Sequence, residues 1–147
     1  MYHYKGAGLD NVYLQNGYHK AMYGDEEIIS VSNIEGLHAA IAAELVEKPA
    51  RLTGPELRFL RIELDLSQKV LSELLRVSDQ TVASWEKGVT KGASGPSELL
   101  LRVFARERLL NHDGHVSQFI ETLAHLDNAT HERLLFEASS NTWKAAA

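Results

Sequence analysis

The fold is decided by residues 66–88, whose sequence is LSQKVLSELLRVSDQTVASWEKG. Apolar residues recur there at helical spacing, which predicts two short helices. Ser67 and Ser78 stand where helix N-caps belong, and Gly88 stands where the second helix ends. Two helices that cross steeply through a turn of about three or four residues share one core. We therefore expect an inward-facing set made of Val70, Leu71, Leu74, Leu75, Val77, Val82 and Trp85.

The outer face of the second predicted helix is polar. It carries Asp79, Gln80, Thr81 and Ser84. Such a face suits the major groove of DNA, where Gln pairs with the edge of adenine and Thr contacts the methyl group of thymine. Asp79 fits two roles, because its carboxylate can accept from cytosine or stabilise the N-terminus of its own helix.

Three parts of this stretch resemble the XRE/Cro family of helix-turn-helix repressors: the opening Leu-Ser-Gln, the turn Val-Ser-Asp-Gln-Thr-Val and the closing Trp-Glu-Lys-Gly. The resemblance covers residues 52–108. It implies a four- or five-helix bundle that binds double-stranded DNA as a dimer and performs no chemistry. It also implies that Gln68 contacts a phosphate or braces Gln80. The implied base-facing residues are Asp79, Gln80, Thr81 and Ser84, and the implied phosphate or bracing residues are Gln68, Lys69, Arg76, Ser78, Lys87 and Lys91.

Arg76 departs from the family pattern, which usually has glycine in the turn between the two helices. That position often takes a left-handed conformation, which arginine adopts at a cost of about 1 kcal/mol. Arg76 either adds a phosphate contact beside the groove or is simply a tolerated surface residue.

Residues before the helix-turn-helix predict three strands. The runs 12–15 and Tyr18–Tyr23 flank Asn16-Gly17, a pair typical of tight hairpin turns. Gly24-Asp25 predicts a further turn before a third strand at 28–31.

A helix at 33–47 follows these strands, opened by a capping box between Ser32 and Glu35. The resulting β-β-β-α unit has too little core to be stable alone, so it must lean on the rest of the protein or on a second chain.

The remainder of the chain predicts helices. Thr53 and Glu56 form a capping box, and Pro96 opens another helix. Two more helices are predicted at 116–126 and 130–138. Apolar residues of the helix opened by Pro96 should face the core, namely Leu99, Leu100, Val103, Phe104 and Leu110.

The expected fold is thus mainly α. A helix-turn-helix bundle of five to six helices carries a small N-terminal unit made of a β-hairpin or β-sheet and a helix. We divide the chain into this N-terminal unit at 1–50, the DNA-binding domain at 51–110 and a C-terminal helical extension at 111–147.

Charge is unevenly distributed in this 147-residue chain, whose formal net charge is -5. Residues 1–50 carry three lysines against seven acids, whereas residues 51–95 carry seven basic residues against six acids. The middle segment is therefore the one part that is not acidic, as a phosphate-facing segment requires.

Composition excludes several classes of protein. The absence of cysteine rules out disulfides and cysteine-bound zinc, and no apolar run is long enough to span a membrane. We expect a cytoplasmic bacterial protein that is not an enzyme and needs no cofactor or metal. The seven histidines form no recognisable metal pattern.

A small β-rich unit ahead of a helix-turn-helix is also similar to the MqsA-type antitoxins. Those proteins bind zinc through two Cys-x-x-Cys pairs, which this chain lacks. Autorepression of a small operon is the leading hypothesis. The alternative is an antitoxin whose acidic N-terminal unit binds a small basic toxin, and a ligand-sensing regulator is a third possibility.

In a dimer, the second helix of each helix-turn-helix would enter the major groove, and the two helices would lie about one DNA turn apart on a palindrome. The expected contact surface is formed by the C-terminal helices around Phe104, Phe119, Ile120 and Leu123, with the N-terminal hairpin as a second candidate.

Overall fold

Helices dominate the computed structural model, which describes residues 1–90, 92–111, 116, 118, 136–140 and 142–146. The α-helices are α1 (Ile34–Glu47), α2 (Gly54–Glu63), α3 (Gln68–Leu75), α4 (Asp79–Lys87) and α5 (Gly95–Ala105), which continues as a π-helical turn at Arg106–Asn111. Three antiparallel strand pairs accompany them: β1 (Tyr2–His3) with β2 (Tyr13–Leu14), β3 (Tyr18–Tyr23) with β4 (Glu26–Val31), and β5 (Phe136–Ser139) with β6 (Thr142–Ala145). The predicted fold class, mainly α with a small β part, is confirmed. Over these residues, no helix combines the length and apolar character needed to cross a membrane.

One hydrophobic core joins the N-terminal unit to the helices that follow it. Its most deeply buried large side chains are Leu57, Leu60, Leu71, Val82 and Leu101, from α2 to α5. The N-terminal unit adds Leu9, Ala42, Leu45 and Val46 to the same cluster. The unit therefore leans on the rest of the chain, as its small size requires.

The start of α2 is fixed by a capping box. Thr53 Oγ1 accepts from the Glu56 backbone N–H, and the Glu56 carboxylate accepts from the Thr53 N–H. Lys48 Nζ lies 2.6 Å from the same carboxylate and ties it to the end of α1. Burial raises the pKa of Glu56, but the hydrogen bonds from Lys48 and Thr53 outweigh burial and lower it overall.

A polar relay attaches the N-terminal segment to α1 and α2. His38 on α1 lies between the Tyr4 hydroxyl, at 2.8 Å, and the Glu63 carboxylate, at 2.7 Å. Its ring also meets the ring of Phe59 edge-on. Burial, together with the charges of Tyr2 and Glu63, raises the pKa of Tyr4. Tyr4 therefore stays neutral and keeps its hydroxyl proton within this contact.

The predicted hairpin at Asn16-Gly17 is wrong. β2 pairs with the N-terminal strand β1, which the sequence did not reveal, so β2 is not the partner of β3. β3 instead pairs with β4 through the turn at Gly24-Asp25, which was predicted. Gly17 does have a positive φ of 82°, and its carbonyl accepts from the Ser32 N–H.

The N-cap of α1 is Asn33 and not Ser32. Asn33 adopts a left-handed conformation, and its side chain accepts from the Gly36 N–H. Asparagine tolerates that backbone conformation because its short polar side chain bonds locally.

Several helical predictions also need correction. Val70, Leu99 and Val103 are exposed rather than inward-facing, because Leu71 and Leu101 occupy the buried side of their helices. Residues 136–138 lie in β5 and not in the helix predicted at 130–138. Positions 130–135 of that helix lie outside the described residues. So does the helix predicted at 116–126, except for Val116 and Gln118, which are helical.

Candidate nucleic-acid interface

The two helices of the predicted motif, α3 and α4, are joined by residues 76–78. Arg76 has a φ of 59° and a ψ of 41°, and the Val77 N–H donates to the Ser72 carbonyl at 2.9 Å. The left-handed conformation expected at Arg76 is therefore confirmed, and arginine adopts it here without glycine's freedom.

Caps fix where each of the two helices begins. Ser67 Oγ accepts from the Val70 N–H, and Ser78 Oγ accepts from the Thr81 N–H. Gly88 ends α4 with a φ of 75°, as predicted. Below the helices, Leu74, Val82 and Trp85 are buried and Val77 is partly buried. The back of the motif is thus held by packing, while Asp79, Gln80 and Lys87 of α4 are exposed.

A buried ion pair holds α4 against α2. The Glu86 side chain is 4% exposed, and Arg61 approaches it with Nε at 2.7 Å and a second nitrogen at 2.9 Å. Gln68 Nε2 donates to the same carboxylate at 3.2 Å. The sequence did not predict the contact between Arg61 and Glu86. The two residues lie 25 positions apart, and neither helix carries a local pattern that identifies the other as its partner.

Gly54 brings the start of α2 close to the end of α4. A Cβ atom at Gly54 would meet the Glu86 and Trp85 carbonyl oxygens at 2.5 and 2.6 Å. Such distances are too short for any side chain, so glycine permits this close approach. Gly54, Arg61 and Glu86 therefore fix the angle at which α4 is presented.

The predicted base-facing residues all lie on α4. Asp79 and Gln80 are exposed, and Thr81 and Ser84 are half-buried. The Thr81 hydroxyl lies 2.7 Å from Ser78 Oγ, and Asp79 Oδ1 accepts from the Gln80 N–H. The hydrogen bond from the Gln80 N–H to Asp79 fits the role considered for Asp79 in stabilising the N-terminus of α4. Gln80 itself is exposed.

The predicted phosphate and bracing residues occupy different surroundings. Lys69, Arg76, Ser78 and Lys87 are exposed around the motif. Gln68 is bonded to Glu86, so the brace expected between Gln68 and Gln80 is made to α4 at another residue. Lys91 lies outside the described residues.

Metal ligands do not assemble in the part of the chain that the structure describes: no three His, Asp or Glu side chains come together there in a possible metal site. His112, His115, His125 and His131 are outside that part.

This geometry is that of a helix-turn-helix motif: two short crossed helices, capped and packed from behind, present one polar helix face. Residues 57–99 match a family model described as helix-turn-helix, of the XRE/Cro type. The match begins in α2 and ends in α5, and it supports a sequence-specific DNA-binding regulator. Neither the search of curated proteins nor that of solved structures returned a match.

Proposed function

We propose that this protein is a dimeric autorepressor that binds a palindromic operator, with α4 of each protomer in the major groove. The observation that carries the proposal is the exposed polar face of α4 on a motif whose back is buried. Operator binding by such a protein needs no catalytic group, because the bound repressor itself excludes other proteins from the promoter.

Contacts to DNA divide into two sets. Gln80 is the strongest candidate for a base edge, since its exposed amide can pair with adenine, and Thr81, Ser84 and Asp79 line the same face. Lys69, Arg76 and Lys87 surround this face and would contact phosphates, while Gln68 braces it through Glu86.

The dimer surface that we propose lies on α5. Phe104, expected there from the sequence, is 3% exposed and packs under the Arg108 guanidinium, so it is not available. Leu99 is 65% exposed, and Val103 lies one turn further along the same helix. Arg106 and Glu47 form an exposed ion pair beside them, 3.5 Å apart. A two-fold interface must complement itself, and a patch rimmed by both charge signs can do so.

Selection from randomised duplex DNA, followed by fluorescence anisotropy, tests operator binding. We expect Gln80→Ala to relax the base preference at one position in each half-site of the operator. Lys87→Ala should weaken the binding of all sequences alike, and it should lower the slope of log affinity against log salt concentration by about 1. Lys20→Ala removes a lysine from β3 and serves as the control. The absence of any selected sequence, or an equal effect of Lys20→Ala, would contradict the proposal.

Sedimentation equilibrium tests the α5 surface with a matched pair of variants. Leu99 and Met22 are almost equally exposed, at 65% and 64%. Leu99→Ser should shift the protein to monomer and reduce operator affinity, whereas Met22→Ser should leave the dimer intact. A dimer that survives Leu99→Ser excludes α5 as the interface.

The second candidate function is that of an antitoxin that also represses its own operon. It is supported by the acidic N-terminal unit, in which seven acids outnumber three lysines. Co-expression with the product of the adjacent reading frame tests it: a toxic, basic neighbour that the chain neutralises supports the candidate, and a harmless neighbour that does not co-purify contradicts it.

A further inference from the structure

The hairpin of β3 and β4, here called the arm, is a second exposed feature of the molecule. Its strands pair from Tyr18 opposite Val31 to Tyr23 opposite Glu26. At the base, the rings of Tyr18 and Tyr2 lie 5.3 Å apart. Every residue from 19 to 28 is exposed. The arm therefore extends away from the core that stabilises the rest of the N-terminal unit.

Large apolar side chains lie on this exposed arm. Tyr23 is 68% exposed and Ile28 is 46% exposed. Ala21 pairs with Ile28, and side chains alternate along a strand, so Ala21, Tyr23 and Ile28 share one face. A two-stranded hairpin is only marginally stable in water, and aromatic residues are enriched in protein interfaces. The arm thus has the composition of a surface that another polypeptide covers.

The charge of the arm selects the kind of partner. Asp25, Glu26 and Glu27 stand at its tip, against Lys20, which lies 3.8 Å from Glu27. A second copy of the arm would oppose carboxylates with carboxylates, and DNA phosphates would be repelled in the same way. A positively charged polypeptide would instead place its cations against these carboxylates.

We propose that the arm is a docking surface for a basic protein partner, which covers the face made by Ala21, Tyr23 and Ile28 and pairs with the carboxylates at the tip. The proposal is independent of operator binding, and it deepens the antitoxin candidate by naming the surface and the chemistry of the partner. Within the described part of the chain, β3 and β4 pair only with each other. A partner segment can therefore add to an edge of the hairpin through backbone hydrogen bonds.

A pair of labelled synthetic peptides tests the arm in the full-length protein: one alternates Lys and Val, and the other alternates Glu and Val. We expect fluorescence anisotropy to show binding of the Lys–Val peptide alone. Tyr23→Ser combined with Ile28→Ser should weaken this binding about tenfold. Glu26→Lys combined with Glu27→Lys should abolish it.

The matched control is Glu35→Lys combined with Glu44→Lys, which makes the same charge change at exposed positions of α1. It should change peptide affinity less than about twofold. The proposal is overturned if the Lys–Val peptide does not bind, if the control weakens binding as much as the arm variants do, or if the serine variant binds normally.

Two further measurements distinguish partner binding by the arm from dimerisation through the arm and from operator binding. Sedimentation of the arm variants should give the wild-type mass, and a fall to monomer would show that a second copy occupies the arm. Operator binding by the arm variants should be unchanged, so that loss of peptide binding with intact DNA binding supports the arm alone. Unchanged melting temperatures would show that the variants are folded.

Discussion

The helix-turn-helix and the arm differ in how many of their polar groups are paired, and how many of their apolar side chains are buried, within the protein itself. In the helix-turn-helix, Ser67 and Ser78 cap the helices, Val82 is wholly buried and the Glu86 carboxylate is bonded to Arg61. The exposed side chains of α4 are polar or charged. In the arm, large apolar side chains remain outside and no described element covers them.

This difference separates two kinds of recognition. A surface that binds DNA must tolerate water and phosphate, so it can be fully hydrated in the free protein and still be ready to bind. A surface that binds a protein gains affinity by burying apolar area, so it exposes that area until the partner arrives. The charge balance agrees, because seven acids outnumber three lysines in residues 1–50, whereas residues 51–95 carry seven basic residues against six acids.

The largest effect should come from removing Arg61. Arg61→Met removes the buried cation that lies closest to the Glu86 carboxylate, and we expect the free energy of unfolding to fall by about 3–5 kcal/mol. Urea denaturation measures the change. Operator binding should be lost as well, since α4 would no longer be held against α2.

Arg58→Met provides the matched control for this prediction. Arg58 Nε lies 4.0 Å from the same carboxylate, but its side chain is 58% exposed. Its removal should change stability by less than about 0.5 kcal/mol. Equal effects of the two variants would mean that Glu86 does not depend on its buried partner.

A smaller loss should follow Gly54→Ala. The new methyl group would meet backbone carbonyls of α4 at 2.5 and 2.6 Å, which cannot move aside as a flexible side chain can. We expect a loss of about 1–3 kcal/mol, as for other overpacked sites. Gly95 also begins a helix and also precedes proline, but it has nothing within 4 Å. In thermal unfolding, Gly54→Ala should therefore lower the melting temperature more than the control variant Gly95→Ala does. An unchanged melting temperature for Gly54→Ala would show that α2 and α4 are not in close contact.

The helix-turn-helix was predictable because its signals are local. Ser67 and Ser78 stand directly before the helices that they cap, Gly88 stands directly after α4, and Val82 and Trp85 follow the helical period. Arg61 and Glu86 were not predictable in this way, because their contact depends on how α2 and α4 pack. The same holds for the relay from Tyr4 to Glu63 through His38, which joins three separate segments.

The prediction of strand pairing failed for a related reason. Asn16-Gly17 carries the local signal of a tight turn, but a turn signal does not say which strands will pair. Pairing was decided by β1, a two-residue strand too short to show a pattern of its own, which takes β2 as its partner. Leu99 and Val103 fit the helical period of α5 yet are exposed, since the period alone does not say which apolar stripe the core will cover.

Arg76 tests whether the turn of the helix-turn-helix sacrifices stability for DNA contact. Arg76→Gly should raise the free energy of unfolding by about 0.5–1 kcal/mol, because glycine adopts the left-handed conformation without strain. Asp65 also has a positive φ, so Asp65→Gly should give a similar gain. If Arg76 contacts a phosphate, then Arg76→Gly alone should weaken operator binding across all sequences and lower its salt dependence. Two glycine variants with the same stability and the same operator affinity would make Arg76 a tolerated surface residue.

The smallest effect on stability should come from the arm itself. Tyr23→Thr keeps a residue that favours strands and removes an aromatic ring that is 68% exposed. Since that ring contributes little to the core, the free energy of unfolding should change by less than about 0.5 kcal/mol in urea denaturation. Leu60→Ala, at a fully buried position, should cost about 2–5 kcal/mol in the same experiment. A loss above about 1 kcal/mol from Tyr23→Thr would mean that the ring packs against the protein's own chain. The arm would then be part of the fold, and the contrast with the helix-turn-helix would disappear.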